Sequence, residues 1–573
     1  MMVAKLNQPR KTKLISAHLR GPDLGAIKWP TLVAALKSAA EELPDALYVN
    51  FIDTRNQANQ RSYASIYAGA ERIAYHLLAR NVSPGDRVVI LLPTGEDFAH
   101  SLFGAQLVGA VPVPLPLPLV FGDVDAYVES LRAIIADADA DYLICGERTM
   151  TPASNLMADL GRPRGILPIE EFAQPAAPQT LPTIADDTVA LLQYTSGPFS
   201  TPHGIALEHR HIMANVQGVG EALELGPDDV GMSWLPMVHD MGLIGVLFCS
   251  LYWRYPAHVM PPESFLMHPY RWLQNISAYR ATISAAPNFA YGLCTRRVRD
   301  KHMADLDLSA WRIALNGAEM VIPDTLNAFA ERFAAAGFQK NRFVPIYGLA
   351  ENALAATSAL LETPVRVDQV VDPDNLHDGT VRDVVSVGYA LPGQEVAIRN
   401  IANGEILSEH EIGEIVVRGA CVMPGYFRDE TTSRRILREG WLHTGDLGFI
   451  TDGELYICGR HKEMVIKMGR NYYPNDIEAA ACAADGVTVH DALAFAMQNE
   501  PQGTEDLVVL VEAEAGDEAA VKLVQAEVNK SLLARIGLRA DQIIIQPPHS
   551  FPHKDDRRRA RVVMKRRHLL GQF

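Results

Sequence analysis

Between an apolar run that ends at Leu192 and an amphipathic segment that begins near Glu208 lies Gln193-Tyr-Thr-Ser-Gly-Pro-Phe-Ser-Thr-Pro-His-Gly204. Thr195, Ser196 and Gly197 are small or hydroxyl-bearing. Residues of this kind let backbone N–H groups and side-chain oxygens close around phosphate, and a nearby cation neutralises its charge. The stretch therefore reads as a phosphate cradle set between a strand and a helix. Just beyond it, Glu208-His209-Arg210-His211 puts two histidines at i and i+2. On a helix such a pair faces different directions and makes a poor metal site. There is no GxSxG elbow, and no Ser-His-Asp spacing stands out.

The elements that must position this loop follow an α/β rhythm. Leu32, Ala35, Leu36 and Ala39 have helical spacing, and Ala46–Phe51 reads as a strand. Tyr63–Asn81 reads as a long amphipathic helix, Asp86–Pro93 as a buried strand, and a further helix runs to about Gly109. Val113–Pro118 is proline-rich and suits a loop or sheet edge. A helix at 126–136 and the strand Tyr142–Cys145 complete the alternation, which implies layers built on largely parallel sheets. Residues 1–30 read as a poorly ordered arm and 173–187 as a connector.

At 573 residues the chain is too long for one core and must divide into at least two domains. With 48% apolar and 21% charged residues it is globular rather than disordered. A net charge of −16 argues against broad nucleic-acid binding. No stretch approaches the roughly 20 apolar residues of a membrane span. Six cysteines without CxxC spacing read as reduced core residues of a cytoplasmic protein.

Tyr194, Thr195, Ser196, Gly197, Pro202 and Gly204 fit, in register, the phosphate loop of the adenylate-forming superfamily. Downstream, Trp234–Gly245, Pro269–Ser277, Ala286–Cys294, Trp311–Glu319 and Pro345–Glu351 follow in an order that resembles its fatty acyl-AMP ligase branch, from about Thr31 to at least Ile477. The resemblance implies a large N-terminal domain of layered α/β subdomains, residues 1–459, and a small mobile α+β domain, 460–573. It implies ATP and AMP as nucleotides, Mg²⁺ as metal, a hydrophobic carboxylic acid or its acyl adenylate as substrate, and an acyl carrier protein as partner.

Residue by residue, the resemblance places Asn316, Gly317, Ala318 and Glu319 along the adenine pocket, with Tyr347 stacking on the base beside Gly348. Glu351 would hold Mg²⁺, Asp446 of Thr444-Gly-Asp446 the ribose hydroxyls, Arg460 the ribose edge and Lys462 the hinge. His239, Asp240 and Met241, with Asn288, Phe289 and Ala290, would meet the substrate. The acyl chain would lie among 239–253 and 287–294. A polar segment between Glu351 and Gly388 stands where acyl-AMP ligases carry an insertion thought to tether the domains and disfavour coenzyme A; it reads equally as an ordinary surface loop.

Two elements depart from the family pattern. Pro198, Phe199 and Ser200 interrupt the phosphate loop, and His203 stands where the loop lysine belongs. In the last motif, Arg557 and Arg558 occupy the glycine and catalytic-lysine positions, with Lys554 four residues early. An arginine fork is no simple substitute for a compact ammonium. Three readings follow: an adenylating enzyme using His203 and Arg558; a non-adenylating relative acting on a preformed acyl adenylate or acyl carrier; and a binding protein without chemistry. Residues 553–568 carry eight Lys or Arg against Asp555 and Asp556, which reads as a docking surface for an acidic carrier or as a solvated tail.

Overall fold

The computed structural model describes residues 15–117, 124–160, 165–194, 203–371, 381–460, 464–468, 470–499, 502, 504–552 and 557–573. Nine strands form the central sheet, in the order 389–390, 355–358, 343–348, 313–316, 283–286, 231–233, 257–259, 47–52 and 58–62. The six strands from 343–348 to 47–52 are mutually parallel, and the antiparallel pairings lie at the two ends. Parallel strands need helical crossovers that cover both faces, which is why their sequences are almost continuously apolar.

A second, parallel sheet runs 111–114, 87–91, 142–145, 165–168. Val111–Pro114 is its edge strand, as two prolines without amide hydrogens require. The connector at 174–185 carries no regular element. An antiparallel sheet gathers 394–399, 413–419, 437–438, 441–451 and 454–460. Its outermost strand is His18–Arg20, paired with Glu395–Ala397. Part of the arm expected to be loose is therefore ordered: Ala17 and Leu19 are buried in that sheet's core.

The small C-terminal domain holds the strands 489–499, 504–513 and 542–546 with helices Pro474–Cys482, Glu518–Ile536 and Arg557–Leu569. From Arg557 onward the basic tail is thus a helix, and two of its cations are consumed internally. Glu478 accepts from Arg557 at 2.9 Å and from Arg561 at 2.6 Å, and Arg557 also reaches Asp491 at 2.6 Å. The polar segment after Glu351 contains an antiparallel hairpin, Val367–Val371 with Val381–Val385. All six cysteines are free. Five are buried as expected, but Cys482 is exposed, at the end of its helix. Among the described residues no helix is long and apolar enough to cross a membrane.

Candidate functional site

At the C-terminal edge of the parallel strands the chain turns sharply after Tyr347. A Cβ at Gly348 would lie 1.8 Å from the Leu354 carbonyl, so only glycine fits there. The loop folds back through Leu349 N–H donating to Leu354 O and Asn352 N–H to Leu349 O. The Asn215 amide clamps it by donating to the carbonyls of Asn352 and Ala355. Glu351 is held at the turn, and its backbone carbonyl accepts from Met423 N–H at 2.8 Å.

The second wall comes from the long strand Trp441–Thr451. Thr444 donates its hydroxyl to Ile415 O at 2.7 Å and accepts from Asp446 N–H at 3.0 Å. Gly445 between them has φ 77°, the left-handed region glycine tolerates. This fixes Asp446, whose Oδ2 accepts from the Tyr347 hydroxyl at 2.7 Å in a buried contact. Tyr347, Glu351 and Asp446 are thereby brought to one cavity of about 440 Å³, within the usual size of a ligand site.

A third element completes this end. Phe427 N–H donates to Gly204 O at 2.7 Å, and Ile205 bridges to Tyr426, so segment 426–429 docks on the strand Gly204–Glu208. Tyr426 donates to Glu351 Oε1 at 2.7 Å. Burial and the Glu351 charge hold its phenol well above the usual range. His203 packs beside the Tyr426 ring, centroids 5.1 Å apart, and pairs with Asp429 at 3.2 Å. Tyr194 donates to Asp137 at 2.6 Å. Asp429 and Asp137 are acidic neighbours that the sequence reading missed. Thr195, Ser196, Gly197, Pro198, Phe199, Ser200 and Lys462 lie outside the described residues, as do the side chains of Arg460 and Arg558.

From there the cavity runs along one face of the sheet. Side chains alternate on a strand, so Ile283 and Ala285, their neighbour Leu315, and Ile346 all line it from the same side. Opposite them lie Val219 from helix His209–Ala222, Leu223 just beyond it, and Gly245 and Cys249 from the helical stretch 243–253. His239, Asp240, Met241 and Phe289 line it as expected. Burial pushes the Asp240 carboxyl up to about 6, with the Glu351 charge adding to the effect.

Other expected residues are placed elsewhere. Asn288 and Ala290 are buried behind the cavity. Asn288 Oδ1 accepts from Asn316 Nδ2 at 3.2 Å and from Ile322 N–H at 3.2 Å. Of residues 316–319 only Ala318 lines the cavity. Glu319 turns away to accept from Phe289 N–H at 2.5 Å and from the Thr504 hydroxyl of the C-terminal domain at 3.4 Å. The roof comes from that domain: Met464, Lys467, Tyr472 and Tyr473 lie over the opening, together with Gly537 and Leu538.

The AMP-binding enzyme family model matches residues 36–427. The chain belongs to this family. It is 34% identical over 482 residues to the medium-chain-fatty-acid–[acyl-carrier-protein] ligase JamA of Moorena producens, covering 80% of this chain and 81% of that one. It is 32% identical over 566 residues to the long-chain-fatty-acid–AMP ligase FadD26 of Mycobacterium marinum, covering 91% and 94%. A solved structure from the fatty acyl-adenylate ligases of E. coli and L. pneumophila superposes with a TM-score of 0.74 at 35% identity, covering 96% and 99%. The family is adenylate-forming, and this member is a fatty-acid-ligase-like enzyme.

Proposed function

We propose that the chain activates a fatty or other hydrophobic carboxylic acid as its acyl adenylate and passes the acyl group to the phosphopantetheine thiol of an acyl carrier protein. The observation that carries this reading is the continuity of one cavity, from Tyr347, Glu351 and Asp446 at one end to an apolar channel at the other. A nucleotide would put its base against the Tyr347 ring and its ribose hydroxyls on Asp446. The acid's tail would lie in the channel, leaving its carboxylate at the phosphate.

The residues present suit a hard cation. Glu351 offers a carboxylate at the cavity wall, oriented by Tyr426 through one oxygen. Mg²⁺ held there would neutralise charge on the phosphates during carboxylate attack and pyrophosphate departure. The chain's own part is to align base, ribose and acyl tail, so that attack takes place between fixed partners. Lys462 is proposed as the pivot and Arg460 as a ribose-edge contact, with the boundary near residue 459. The paired strands 465–467 and 470–472 in the roof and the terminal helix bearing Arg558 sit on one domain, which would present them in turn.

A second reading is kept because of two observations. His203 is already ion-paired with Asp429, and Arg557 with Glu478 and Asp491, so the cations near both altered motifs are partly committed. In that reading the protein binds a preformed acyl adenylate and does not make one. Pyrophosphate exchange with Mg-ATP and a panel of acids, followed by mass-spectrometric detection of acyl adenylate, separates the two. Exchange that both His203→Ala and Arg558→Ala abolish supports adenylation with a re-engineered phosphate site. No exchange with any acid, combined with tight binding of an acyl-adenylate analogue, refutes it. Efficient acyl-CoA formation, or transfer to a carrier that does not slow with added salt, would count against the carrier as acceptor.

A further inference from the structure

The channel ends at the N-terminal edge of the parallel sheet. Gly231 opens its strand there, paired with Ala257 on one side and Ile283 on the other. Tyr255 lies two residues before Ala257 and lines this end together with Leu223, Leu225, Cys249 and Ile283. The cavity-lining residues beside it are apolar or thiol, Tyr63, Asp229 and Arg312 lie close enough to act on its phenol, and Tyr255 itself is 3% exposed. Yet among the described residues its hydroxyl has no hydrogen-bond partner. The nearby Asp229 carboxylate is already taken by Arg312, Thr282 and Gly226 N–H. Burial holds the phenol well above its usual range, so it remains a neutral O–H donor.

A phenol at the bottom of an apolar channel discriminates by what is laid against it. A methyl-ended chain that reaches the floor strips water from the hydroxyl and returns no hydrogen bond, the costly case for a buried polar group. A chain with an oxygen at that depth pairs with it. Resting on the acyl-adenylate reading above, we infer that Tyr255 is a specificity-determining residue, and that the acyl groups this cavity favours carry a hydroxyl or carbonyl oxygen near their distal end.

The test uses matched pairs of non-hydrolysable acyl sulfamoyl adenosines of increasing chain length, ending in methyl or in hydroxyl, titrated calorimetrically into the full chain. At the length that reaches the floor, the hydroxyl-ended member binds about tenfold or more tightly. Keto-ended analogues at that length show whether a carbonyl serves equally. Tyr255→Phe, which keeps the ring and removes only an unpaired hydroxyl, leaves the thermal midpoint unchanged or slightly higher and erases the preference. Equal affinity for both members at every length overturns the inference while leaving the adenylate reading intact. So does a preference that survives in Tyr255→Phe. If neither member binds at any length, the adenylate reading itself falls, and this inference with it.

Discussion

The phenolic hydroxyl of Tyr426 donates to Glu351 Oε1 across 2.7 Å, fixing one oxygen of the carboxylate proposed to hold magnesium. Partners that orient a metal ligand typically account for 10–100-fold in affinity or activity. Tyr426→Phe is therefore expected to slow pyrophosphate exchange roughly tenfold and to raise the magnesium concentration needed for half-maximal rate. Glu351→Gln should be more severe. Exchange in Tyr426→Phe at the wild-type rate and magnesium dependence would dissociate this contact from catalysis.

Asp446 is expected to carry ribose affinity. Its replacement by Ala removes a charged acceptor and leaves the Tyr347 hydroxyl without this partner. Binding of an acyl-adenylate analogue should weaken by about 1–3 kcal/mol. Tyr347→Phe keeps the stacking face and should cost less. Calorimetry in which Asp446→Ala binds as tightly as wild type would remove the aspartate from the nucleotide site.

Glu454 joins the residues flanking the hairpin 367–371/381–385 to the strand that leads toward the proposed hinge. It is buried and accepts from Ser386 Oγ at 2.5 Å, Tyr389 OH at 2.7 Å and Arg366 at 3.2 Å. Glu454→Ala strands the Ser386 and Tyr389 donors and should cost about 2–4 kcal/mol in chemical denaturation. Arg366 is largely exposed, so Arg366→Ala should cost under about 1 kcal/mol. Equal costs for the two variants would show that the hydroxyl donors are not the main loss.

His209 should make the fold sensitive to acid. Its Nδ1 accepts from Leu32 N–H at 3.2 Å, and burial pushes its ionisation from 6.5 down to about 3. The unfolded imidazole takes up a proton first. Its contribution is thus complete above pH 6.5 and is lost as the pH falls toward 3. Between pH 7 and pH 5 the loss from this residue is about 2 kcal/mol. In His209→Gln the stability–pH curve should be flatter over that interval; an unchanged slope would assign the acid sensitivity elsewhere.

That Tyr347, Glu351 and Asp446 share one cavity was legible because they sit in short contiguous motifs: Tyr347 and Glu351 in one turn, Thr444 to Asp446 in another. The channel was legible only in part: segments 239–253 and 287–294 supply His239, Met241, Gly245, Cys249 and Phe289, but Val219, Leu223, Tyr255, Ile283 and Leu315 come together only through the tertiary fold. Glu319, expected along the adenine pocket, is absent from the cavity lining for a related reason. Its carboxylate is drawn off by Phe289 N–H and Thr504, a contact between domains that local sequence cannot express. The pairing of His203 with Asp429 likewise joins segments more than two hundred residues apart. His18–Arg20 looked loose because three residues carry little strand signal until an existing sheet edge receives them.

If the acyl chain lies in the channel as proposed, the strand direction of its wall makes the sheet a graduated ruler for that chain. Each pair of residues along a strand marks off about 6.6 Å of depth. Ala285 stands one such interval above Ile283, and its small side chain leaves the lower interval open. A bulkier residue at 285 would close the gauge at that mark, and one at 283 only at the bottom. On that reading, accepted chain length would change in discrete steps through single strand positions, while Tyr347, Glu351 and Asp446 stay where they are.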